Sequence, residues 1–411
     1  MVVKVLLKSR KAKPFWFGEP WVFDGSVDRI KGRAQLSEGA IVEVCDDRGI
    51  AIGSGFYSGK SPIRVRMLTR GTEVISAALI RRRLQEAVAL REKQLELRLE
   101  SSVYRLVHSE GDGLPGLIVD RCGDYLVLNF DNAGIRVFRK EIVETLQTLL
   151  QPKGQIERSS RAARDQEGLT VEEGTLAGEA PTEPVEVIEC GVRYRVDILH
   201  GQKTGFYCDQ RLNRQRIRTY AHGRKVLDAF SYTAAFGINA LKAGALEVLA
   251  VDSSAPALAA AEENAALNSV SGFSVERANV LRFLDHARKD PAQRWGLVVL
   301  DPPKLVPKRS DLRRGMKLYR EINAKGIAVV EDGGFLATCS CSGSVSDHDF
   351  DVMVASAAEA AGRGLQLLES GGAGPDHPAR LPHLLSRYLK FRVYRVTGTV
   401  PTAPTDPFPS R

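Results

Sequence analysis

The spacing of hydrophobic positions gives the N-terminal half of the chain two different patterns. Residues 1–70 alternate short β-type runs, such as VVKVLL and IRVRML, with glycine-bearing turns, which predicts a small, mostly β barrel. Residues 76–100 have helical spacing, and Ser76 is the expected N-cap of this helix. Strand-like runs with one further helix continue to about residue 190. We therefore expect a small α+β domain over 71–190 behind the barrel.

A third pattern begins near residue 212, where apolar strand-like runs alternate with helical segments. The runs KVLDAF, VLAVDSS, LVVLDPP and GFLATCSCS are interspersed with the helical segments TAAFGINALKAG and APALAAAEENAALN. This alternation predicts an α/β domain in which helices cover both faces of a mostly parallel sheet. Ligands of such folds bind at the carboxyl ends of the strands. We expect this domain to span 191–400 and a tail to cover 401–411.

The chain of 411 residues carries a net charge of +8 that is unevenly distributed. Residues 1–70 contain 13 Lys and Arg against 7 Asp and Glu, so this segment alone carries +6. Such asymmetry favours a nucleic-acid-binding module at the N-terminus, and an ordinary solvated basic surface is the alternative.

Six cysteines are scattered along the chain without any CxxC pair. This distribution argues against a zinc site and a disulfide framework, so we expect no bound metal and a reducing compartment. The first twenty residues contain too short an apolar run for a signal peptide, and no run approaches the roughly 18 residues of a membrane span. We expect a soluble, cytoplasmic protein with no membrane partner.

Polar residues at the ends of the first three predicted strands indicate a nucleoside site. Asp228 ends the first strand, and Asp252 ends the second 24 residues later, where a carboxylate can accept hydrogen bonds from ribose hydroxyls. Capping of the following helix is the alternative role for Asp252. The intervening turn, SYTAAFG, lacks the G-x-G-x-x-G spacing for a pyrophosphate, which disfavours a dinucleotide but not S-adenosylmethionine. Asn279 follows the third strand and is expected beside the adenine.

The fourth and fifth strands end in residues suited to a reaction. LVVLDPPK places Asp301, Pro302 and Lys304 at the end of one strand, and GFLATCSCSG places Cys339 and Cys341 at the end of the next. Two prolines stop a strand and stiffen the loop after it, and simple strand termination is the alternative.

The pairing of a thiol with a carboxylate suits methylation of a pyrimidine carbon. Addition of a thiolate to carbon 6 of cytosine makes carbon 5 enamine-like and able to accept a methyl group. The thiol must be exposed and partly ionised, and Asp301 can hydrogen-bond the ring at N3 and the N4 amine. Amino-group methyltransferases typically carry an aromatic residue after the two prolines, where this chain has Lys304.

Together, the motifs DAFSYTAAF, VDSS, DPPK and CSCSG resemble the motif series of class I methyltransferases. With HGQKTGFYCDQR, SEGDGLPGLIVDR, EPWVFDGSV, DHP and YLKFRVYRV they closely resemble the bacterial 23S rRNA cytosine-C5 methyltransferase I family over nearly the whole chain. The resemblance implies a PUA RNA-binding domain, a central α+β domain and a Rossmann-like class I methyltransferase domain. It also implies S-adenosylmethionine as cofactor, 23S rRNA or a large-subunit precursor as partner, and a homodimer as a possible assembly.

The resemblance assigns roles to individual residues. Cys341, in S-C-S-G, would be the nucleophile, assisted by Asp301, Pro302 and Lys304, and Cys339 would be structural. Lys203, Phe206, Tyr207 and Arg211 resemble the part that closes over the methionine end of the cofactor, with Lys203 or Arg211 pairing with its carboxylate. The other implied cofactor-binding residues are Asp228, Phe230, Ser231, Tyr232, Thr233, Asp252, Ser253, Asn279 and Asp301.

Two departures from the family pattern keep alternatives open. The family usually has two glycines where this chain has Ala234 and Ala235, and each alanine adds a methyl group close to the expected cofactor. The family's acidic residue beside the adenine is Asn279 here. An inactive RNA-binding or assembly protein on a methyltransferase fold is therefore one alternative, and a uridine-C5 RNA methyltransferase is another. A small-molecule methyltransferase fits poorly with an added basic N-terminal domain.

Overall fold

The computed structural model describes residues 2–32, 34, 36–158, 167–169, 173–202, 204–383 and 386–399. Two compact units divide the chain. Unit one takes Met1–Gly191, Val196–Asp209 and Gly374–Ser386, and unit two takes Val192–Arg195, Gln210–Ala373 and Arg387–Arg411. Within the described ranges, no helix is long and apolar enough to span a bilayer. The predicted tail over 401–411 lies outside the described residues.

Unit one begins with a six-stranded sheet in the spatial order β2-β6-β5-β4-β1-β3. In β6, buried Ile63, Val65 and Met67 alternate with half-buried Arg64 and Arg66, the period-two pattern that produced the prediction of a β domain. The elements are β1 Lys4–Leu7, α1 Lys13–Trp16, β2 Trp21–Phe23, β3 Val27–Lys31, β4 Ile41–Cys45, β5 Ala51–Tyr57 and β6 Ile63–Met67.

The rest of unit one is α+β, with a five-stranded sheet in the order β11-β10-β9-β8-β7. Phe56 and Leu68 from the first part pack in one core with Leu79, Tyr104 and Ile135 from the second. The two parts of unit one therefore share a hydrophobic core. The elements are α2 Ala77–Ala89, β7 Val103–His108, β8 Leu117–Cys122, β9 Tyr125–Phe130, α3 Ala133–Arg136, α4 Arg139–Leu150, β10 Gly154–Glu157, β11 Gly174–Gly178 and β12 Val185–Glu189.

Helix α2 starts as predicted and ends early. The Ser76 side chain accepts a hydrogen bond from Leu79 N at 3.3 Å, which confirms the N-cap. The α-helix stops at Ala89 and continues as a π-helical turn, whereas the spacing predicted helix to residue 100. The physical reason is Arg91, whose guanidinium is buried and makes two hydrogen bonds of 2.7 and 2.9 Å to the carboxylate of Asp112.

Unit two is the predicted α/β domain, with a seven-stranded sheet in the order β16-β15-β14-β17-β18-β20-β19. Strands β14 to β18 are parallel neighbours, and β20 runs antiparallel to β18 and β19. Every residue of β17 is buried, as expected for a strand covered on both faces. The elements are β13 Val192–Val196, α5 Arg211–Ala221, β14 Lys225–Ala229, α6 Ala235–Lys242, β15 Glu247–Asp252, α7 Ala255–Leu267, β16 Phe273–Arg277, α8 Val280–Ala287, β17 Trp295–Leu300, α9 Leu312–Ala328, β18 Val330–Ser340, α10 Asp347–Ala360, β19 Arg363–Gly371 and β20 Lys390–Thr399.

The order of the strands positions the site. The chain builds the sheet outward from β14 in one direction through β15 and β16, then returns to the other side of β14 with β17 and β18. Such a reversal opens a crevice at the carboxyl ends of the central strands. Asp228 lies one residue before the end of β14, Asp252 ends β15, and Asp301 and Cys341 directly follow β17 and β18. The predicted polar residues therefore lie along one edge of the sheet.

Candidate active site

The loop after β14 is held in a strained conformation. Phe230, Tyr232 and Ala234 have positive φ values of 61°, 50° and 55°, in the left-handed region that L-residues seldom adopt. Tyr232 N donates a 3.0 Å hydrogen bond to Asp252 Oδ2, and Ser231 N donates to the Val251 carbonyl at 3.2 Å. Strain of this kind persists where surrounding contacts enforce it, and it clusters at ligand sites.

Asp252 organises this loop from the neighbouring strand. Besides accepting from Tyr232 N, its carboxylate accepts from Ser254 N at 2.9 Å. The N-cap of α7 is Ser254, whose hydroxyl accepts from Ala257 N, so the alternative role of Asp252 as the N-cap is not what the structure shows. Ser253 is exposed between them.

Asp228 is a buried carboxyl group with only one of its oxygens bonded. Oδ2 accepts from Gly237 N at 2.8 Å, a close approach that a Cβ at Gly237 would crowd at 3.2 Å. Within the described residues, neither Asp228 Oδ1 nor the buried Ser231 hydroxyl has a hydrogen-bond partner. Burial, with the nearby charges of Asp301 and Asp252, raises the pKa of Asp228 to about 8. Buried polar atoms of this kind are normally satisfied, so they indicate a polar ligand.

Ala234 lies at the N-terminus of α6, and its methyl group is fully buried. It packs in a small cluster with Ala250 of β15 and Ala261 of α7. The methyl group of Ala234 therefore packs between the sheet and a helix, and its distance from the cofactor stays a prediction from the family resemblance. Ala235 is half-buried, as are Phe230 and Tyr232, whereas Thr233 is buried.

Asn279 caps helix α8. Its side-chain carbonyl accepts from Arg282 N at 3.2 Å, and the residue is exposed. A carbonyl oxygen has two lone pairs, so one remains for the exocyclic amine of an adenine. The adenine contact stays a prediction.

The two reaction loops are joined by hydrogen bonds that run through Ser342. Tyr319, from α9, places its hydroxyl 3.0 Å from the hydroxyls of both Ser340 and Ser342, the residues on either side of Cys341. The Ser342 hydroxyl also accepts from Val306 N at 3.1 Å, on the loop that begins with Asp301. Tyr319 and both serines are fully buried. The position of the loop around Cys341 is therefore fixed relative to the loop around Asp301.

The two cysteines of this strand end differ in exposure. Cys341 is half-buried, whereas Cys339 is fully buried in β18. Burial raises the pKa of the Cys339 thiol well above its usual value, and the charges of Asp301 and Cys341 act in the same direction. A buried neutral thiol is unreactive, so Cys341 is the more accessible cysteine of the pair. Pro302 is buried, and Lys304 is exposed.

A buried lysine lies behind Cys341. Lys390, the first residue of β20, pairs with Ser340 across the sheet. Its ammonium group donates to the carbonyls of Ser342 and Tyr388 at 2.7 and 2.9 Å. Burial lowers the pKa of Lys390 to about 8, while the charges of Asp347 and Cys341 oppose this shift.

The structure brings most of the predicted residues to the carboxyl edge of unit two and leaves others elsewhere. Phe206 and Tyr207 belong to unit one, where Phe206 is buried and the Tyr207 hydroxyl donates to Gln202 Oε1 at 2.9 Å. Arg211 starts α5 in unit two and is fully buried. Lys203 lies outside the described residues. The cofactor roles of these four residues remain predictions.

Tyr319 and Lys390 are the residues that reasoning from sequence missed. Lys390 lies within the motif YLKFRVYRV, so its position was marked but its role was not. Tyr319 lies in a helix whose sequence pattern only places it on the buried face. Its partners, Ser340 and Ser342, are more than twenty residues away, and only the fold brings them together.

A sequence profile of the S-adenosylmethionine-dependent methyltransferase family matches residues 166–392, and a PUA-like domain profile matches residues 5–70. The chain is 37% identical over 399 residues to ribosomal RNA large subunit methyltransferase I of Escherichia coli O1:K1 / APEC, covering 96% of this chain and 100% of that protein.

Solved structures share the fold over nearly the whole chain. A protein from Streptococcus mutans, described as a candidate SAM-dependent methyltransferase, superposes with a TM-score of 0.83 at 20% identity. Another, described as a candidate methyltransferase complexed with SAH, gives 0.82 at 19% identity. Each covers 96% of this chain and 100% of its own. The fold therefore comprises a PUA-like domain, a middle domain and a Rossmann-like methyltransferase domain.

Proposed function

The chain belongs to the ribosomal RNA large subunit methyltransferase I family, and from this membership we propose that it methylates carbon 5 of a cytosine in 23S rRNA with Cys341 as the covalent nucleophile. The reaction depends on S-adenosylmethionine, as the family profile over residues 166–392 states. The cytosine target and the covalent step are the parts proposed.

The observation that carries the proposal is the placement of Cys341. It directly follows β18, keeps part of its surface exposed, and is flanked by two serines held by Tyr319. Asp301 directly follows the adjacent strand β17, and Ser342 connects the two loops. A thiol and a carboxylate on rigid neighbouring strand ends suit covalent catalysis on a planar base.

The chain's residues would act in a fixed order. The Cys341 thiolate forms a bond to carbon 6 of the cytosine, and the electron pair of the carbon 5–carbon 6 double bond becomes available at carbon 5. Asp301 hydrogen-bonds N3 and the N4 amine, which stabilises the charge that develops on the ring. After methylation, a base removes the proton from carbon 5, the double bond re-forms and the Cys341 sulfur leaves.

The residues at the ends of β14 and β15 fit the cofactor. S-adenosylmethionine supplies a methyl group on a sulfonium, and its amino acid end carries an ammonium group. The unbonded Asp228 Oδ1 and Ser231 hydroxyl are acceptors suited to such a cation, and Asp252 stands where a ribose would be held. We propose that Phe230, Thr233 and Asn279 complete the site.

The remaining assignments rest on family membership and the basic N-terminus. We propose a PUA RNA-binding domain over 1–70, a central domain over 71–190 and a methyltransferase domain over 191–400. The proposed partner is 23S rRNA or a large-subunit precursor, and it is supported by the name of the Escherichia coli relative, which gives ribosomal RNA of the large subunit for that protein. The homodimer stays a prediction.

The test uses the full chain with 23S rRNA from cells that lack its intact gene. We expect S-adenosylmethionine-dependent incorporation of a methyl group, bisulfite mapping to one cytosine, and no incorporation by Cys341→Ala. Nucleoside mass spectrometry separates 5-methylcytidine from 5-methyluridine, and the latter product would favour the uridine alternative. If calorimetry finds no S-adenosylmethionine binding at millimolar concentration, the protein is the inactive RNA-binding alternative.

A further inference from the structure

We infer that a basic surface on unit two, beside Cys341, binds the phosphates that flank the target nucleotide of the RNA substrate. This surface, the basic ridge, comprises Lys304, Lys308, Arg309, Arg313 and Lys317. The inference rests on the proposed function and specifies which part of the catalytic domain contacts RNA.

The charge of the segment that forms the ridge is high for its length. Residues 304–320 contain seven Lys and Arg against one acidic residue, Asp311, a net charge of +6. With residues 1–70, which also carry +6, this segment accounts for more than the whole net charge of +8. The ridge is therefore a concentration of positive charge on the catalytic unit.

The ridge cations are exposed and lack ion-pair partners. All five side chains are exposed, and none forms an ion pair or side-chain hydrogen bond with the described residues. The neighbouring cations are engaged: Arg314 pairs with Asp311 at 3.4 Å, and Arg320 donates to the Ser356 hydroxyl at 2.8 Å. All five ridge cations are therefore available to the phosphates of a polyanion.

The ridge is rigidly connected to the reaction loops. Helix α9 presents Arg313 and Lys317, four residues apart, on its solvent face. Its opposite face lies close to the loop after Asp301, because a Cβ at Gly315 would meet Val306 at 2.3 Å. Val306 N in turn donates to the Ser342 hydroxyl, next to Cys341. Phosphates bound on the ridge would therefore hold the RNA at a fixed position relative to the nucleophile.

The test compares two double variants of the full chain that lose the same charge. Arg313→Gln/Lys317→Gln removes two ridge cations, and Gln preserves helix propensity. Lys242→Gln/Lys289→Gln is the matched control. Both control residues are exposed, at the ends of helices α6 and α8, which return the chain to the opposite edge of the sheet.

Binding to a 23S rRNA transcript is measured over a range of salt concentrations. Loss of two phosphate contacts is expected to make the negative slope of log K against log salt shallower by about 1.4–1.8. Binding of the ridge variant should weaken roughly tenfold at about 0.15 M salt. Its KM for rRNA rises while its affinity for S-adenosylmethionine stays unchanged. The control is expected to match the wild type in all three measurements.

Two results would contradict the proposal that the basic ridge binds RNA phosphates. An unchanged salt slope in the ridge variant, or an equal loss in the control, shows that the RNA phosphates bind elsewhere. If this happens while the wild type methylates rRNA, the proposed function stands without the ridge. If the wild type neither binds nor methylates rRNA, both proposals fall.

Discussion

The ammonium group of Lys390 donates a 2.7 Å hydrogen bond to the carbonyl of Ser342, the residue that follows Cys341. Burying a cation is costly unless its donors are bonded, and here two backbone carbonyls accept from it. The same charge interacts with Cys341, which acts to raise the pKa of Lys390. Because electrostatic interaction is reciprocal, the charged lysine favours a thiolate at Cys341.

Lys390→Met tests this relationship by removing the charge and both hydrogen bonds while keeping most of the side-chain volume. We expect kcat/KM to fall on the order of 10–100-fold, since a hydrogen bond to a charged group contributes about 1.5–3 kcal/mol. Alkylation of Cys341 by iodoacetamide at pH 7, followed by peptide mass spectrometry, should slow as well. Lys390→Arg keeps the charge and should retain faster alkylation than the methionine variant.

A structural role alone would give a different outcome. Replacing a buried charge with an apolar side chain often leaves stability unchanged or raises it, so the Tm of Lys390→Met should not fall by more than a few degrees. Normal alkylation of Cys341 together with a large drop in Tm would show that Lys390 only supports the fold. The effect on alkylation should also fade as the pH rises through about 8, where Lys390 loses its charge.

Separate alanine substitutions at Cys341 and Cys339 identify the nucleophile. We expect Cys341→Ala to abolish methyl transfer and Cys339→Ala to leave much of it, because the buried thiol of Cys339 is neutral and inaccessible. The measurement is methyl incorporation into 23S rRNA with a labelled cofactor. Equal loss from both variants, or none from Cys341→Ala, contradicts the assignment. Circular dichroism of both variants serves as the control for folding.

Asp228→Asn should separate stability from cofactor binding. The folded-state pKa of about 8 lies above the ordinary value of 3.8, so the folded wild type binds more protons between these values and loses stability as the pH rises from about 4 to 8. Asparagine has no charge to bury. The variant's Tm should therefore exceed that of the wild type by an amount that grows over this range and is largest above pH 8.

Asp228→Asn should weaken the binding of S-adenosylmethionine, although it raises the Tm. A carboxylate that faces an ammonium group contributes affinity that the neutral amide cannot, so Asp228→Asn should bind at least tenfold more weakly by calorimetry. Wild-type affinity should rise with pH towards 8 as Asp228 ionises. Equal affinity in the variant and the wild type at pH 8 would remove Asp228 from the cofactor site.

Ala234→Gly tests whether the departure from the family's glycine matters. Glycine relieves roughly 1–2 kcal/mol of left-handed strain at φ 55°. It also loses about 0.8 kcal/mol of burial beside Ala250 and Ala261 and costs about 0.5–1 kcal/mol of unfolded-state entropy. These contributions nearly offset one another, so Tm should change by only a few degrees. Because the methyl group is fully buried, the affinity for S-adenosylmethionine should stay within about threefold.

A large gain in cofactor affinity from Ala234→Gly would contradict this account. It would show that the native alanine distorts the loop, and it would support the inactive alternative. The measurement is calorimetry of both proteins under the same conditions, with Ala235→Gly as a second variant at the half-buried neighbouring position.

The sequence predicts those features of this site that depend on neighbouring residues, and it misses those that depend on contacts between distant segments. Strand ends are marked by an apolar run followed by polar residues, so spacing predicts Asp252, Asp301 and the two cysteines Cys339 and Cys341 at strand ends. The choice of Cys341 over Cys339 came from the family resemblance. The bonds that hold Cys341 are not local, because Tyr319 and Lys390 reach it from elements 21 and 48 residues distant from Ser340 and Ser342. No periodicity encodes such contacts. They arise only when β20 inserts between β18 and β19 and α9 packs beneath the loop.

Helix α2 shows the same limit in the fold. Its apolar spacing continues to residue 100, but the α-helix ends at Ala89 because the buried pair of Arg91 and Asp112 requires a different path. Asp112 lies 21 residues away at the end of a short 3-10 helix, and Arg91 also donates to the carbonyl of Asp376 at 2.7 Å. Two distant partners therefore decide where this helix ends.

Whether the N-terminal cations bind RNA phosphates can be tested by substitution. Point variants are better suited to this test than truncation of the domain. Deleting residues 1–70 would remove Phe56 and Leu68 from the core that they share with Leu79, so the remainder would be destabilised. Lys11→Gln/Lys13→Gln avoids this problem, because both side chains are exposed in a segment that has no acidic residue before Glu19. For this variant, the negative slope of log K against log salt for binding to 23S rRNA should become shallower by about 1.4–1.8.

Trp16 and Phe17 allow the contribution of base stacking to RNA binding to be separated from that of charge in this part of unit one. Both are exposed, at 45% and 65%, three and four residues after Lys13 in the chain. Aromatic rings beside cations suit unpaired bases, and each stacked base contributes about 1–3 kcal/mol by alanine substitution. Trp16→Ala should therefore weaken RNA binding about fivefold or more without changing the salt slope, since no phosphate contact is lost. Lys93→Gln/Lys140→Gln, two exposed cations elsewhere in unit one, is the control for charge. A change of slope in Trp16→Ala, or an unchanged slope in Lys11→Gln/Lys13→Gln, would mean that RNA does not lie across this surface.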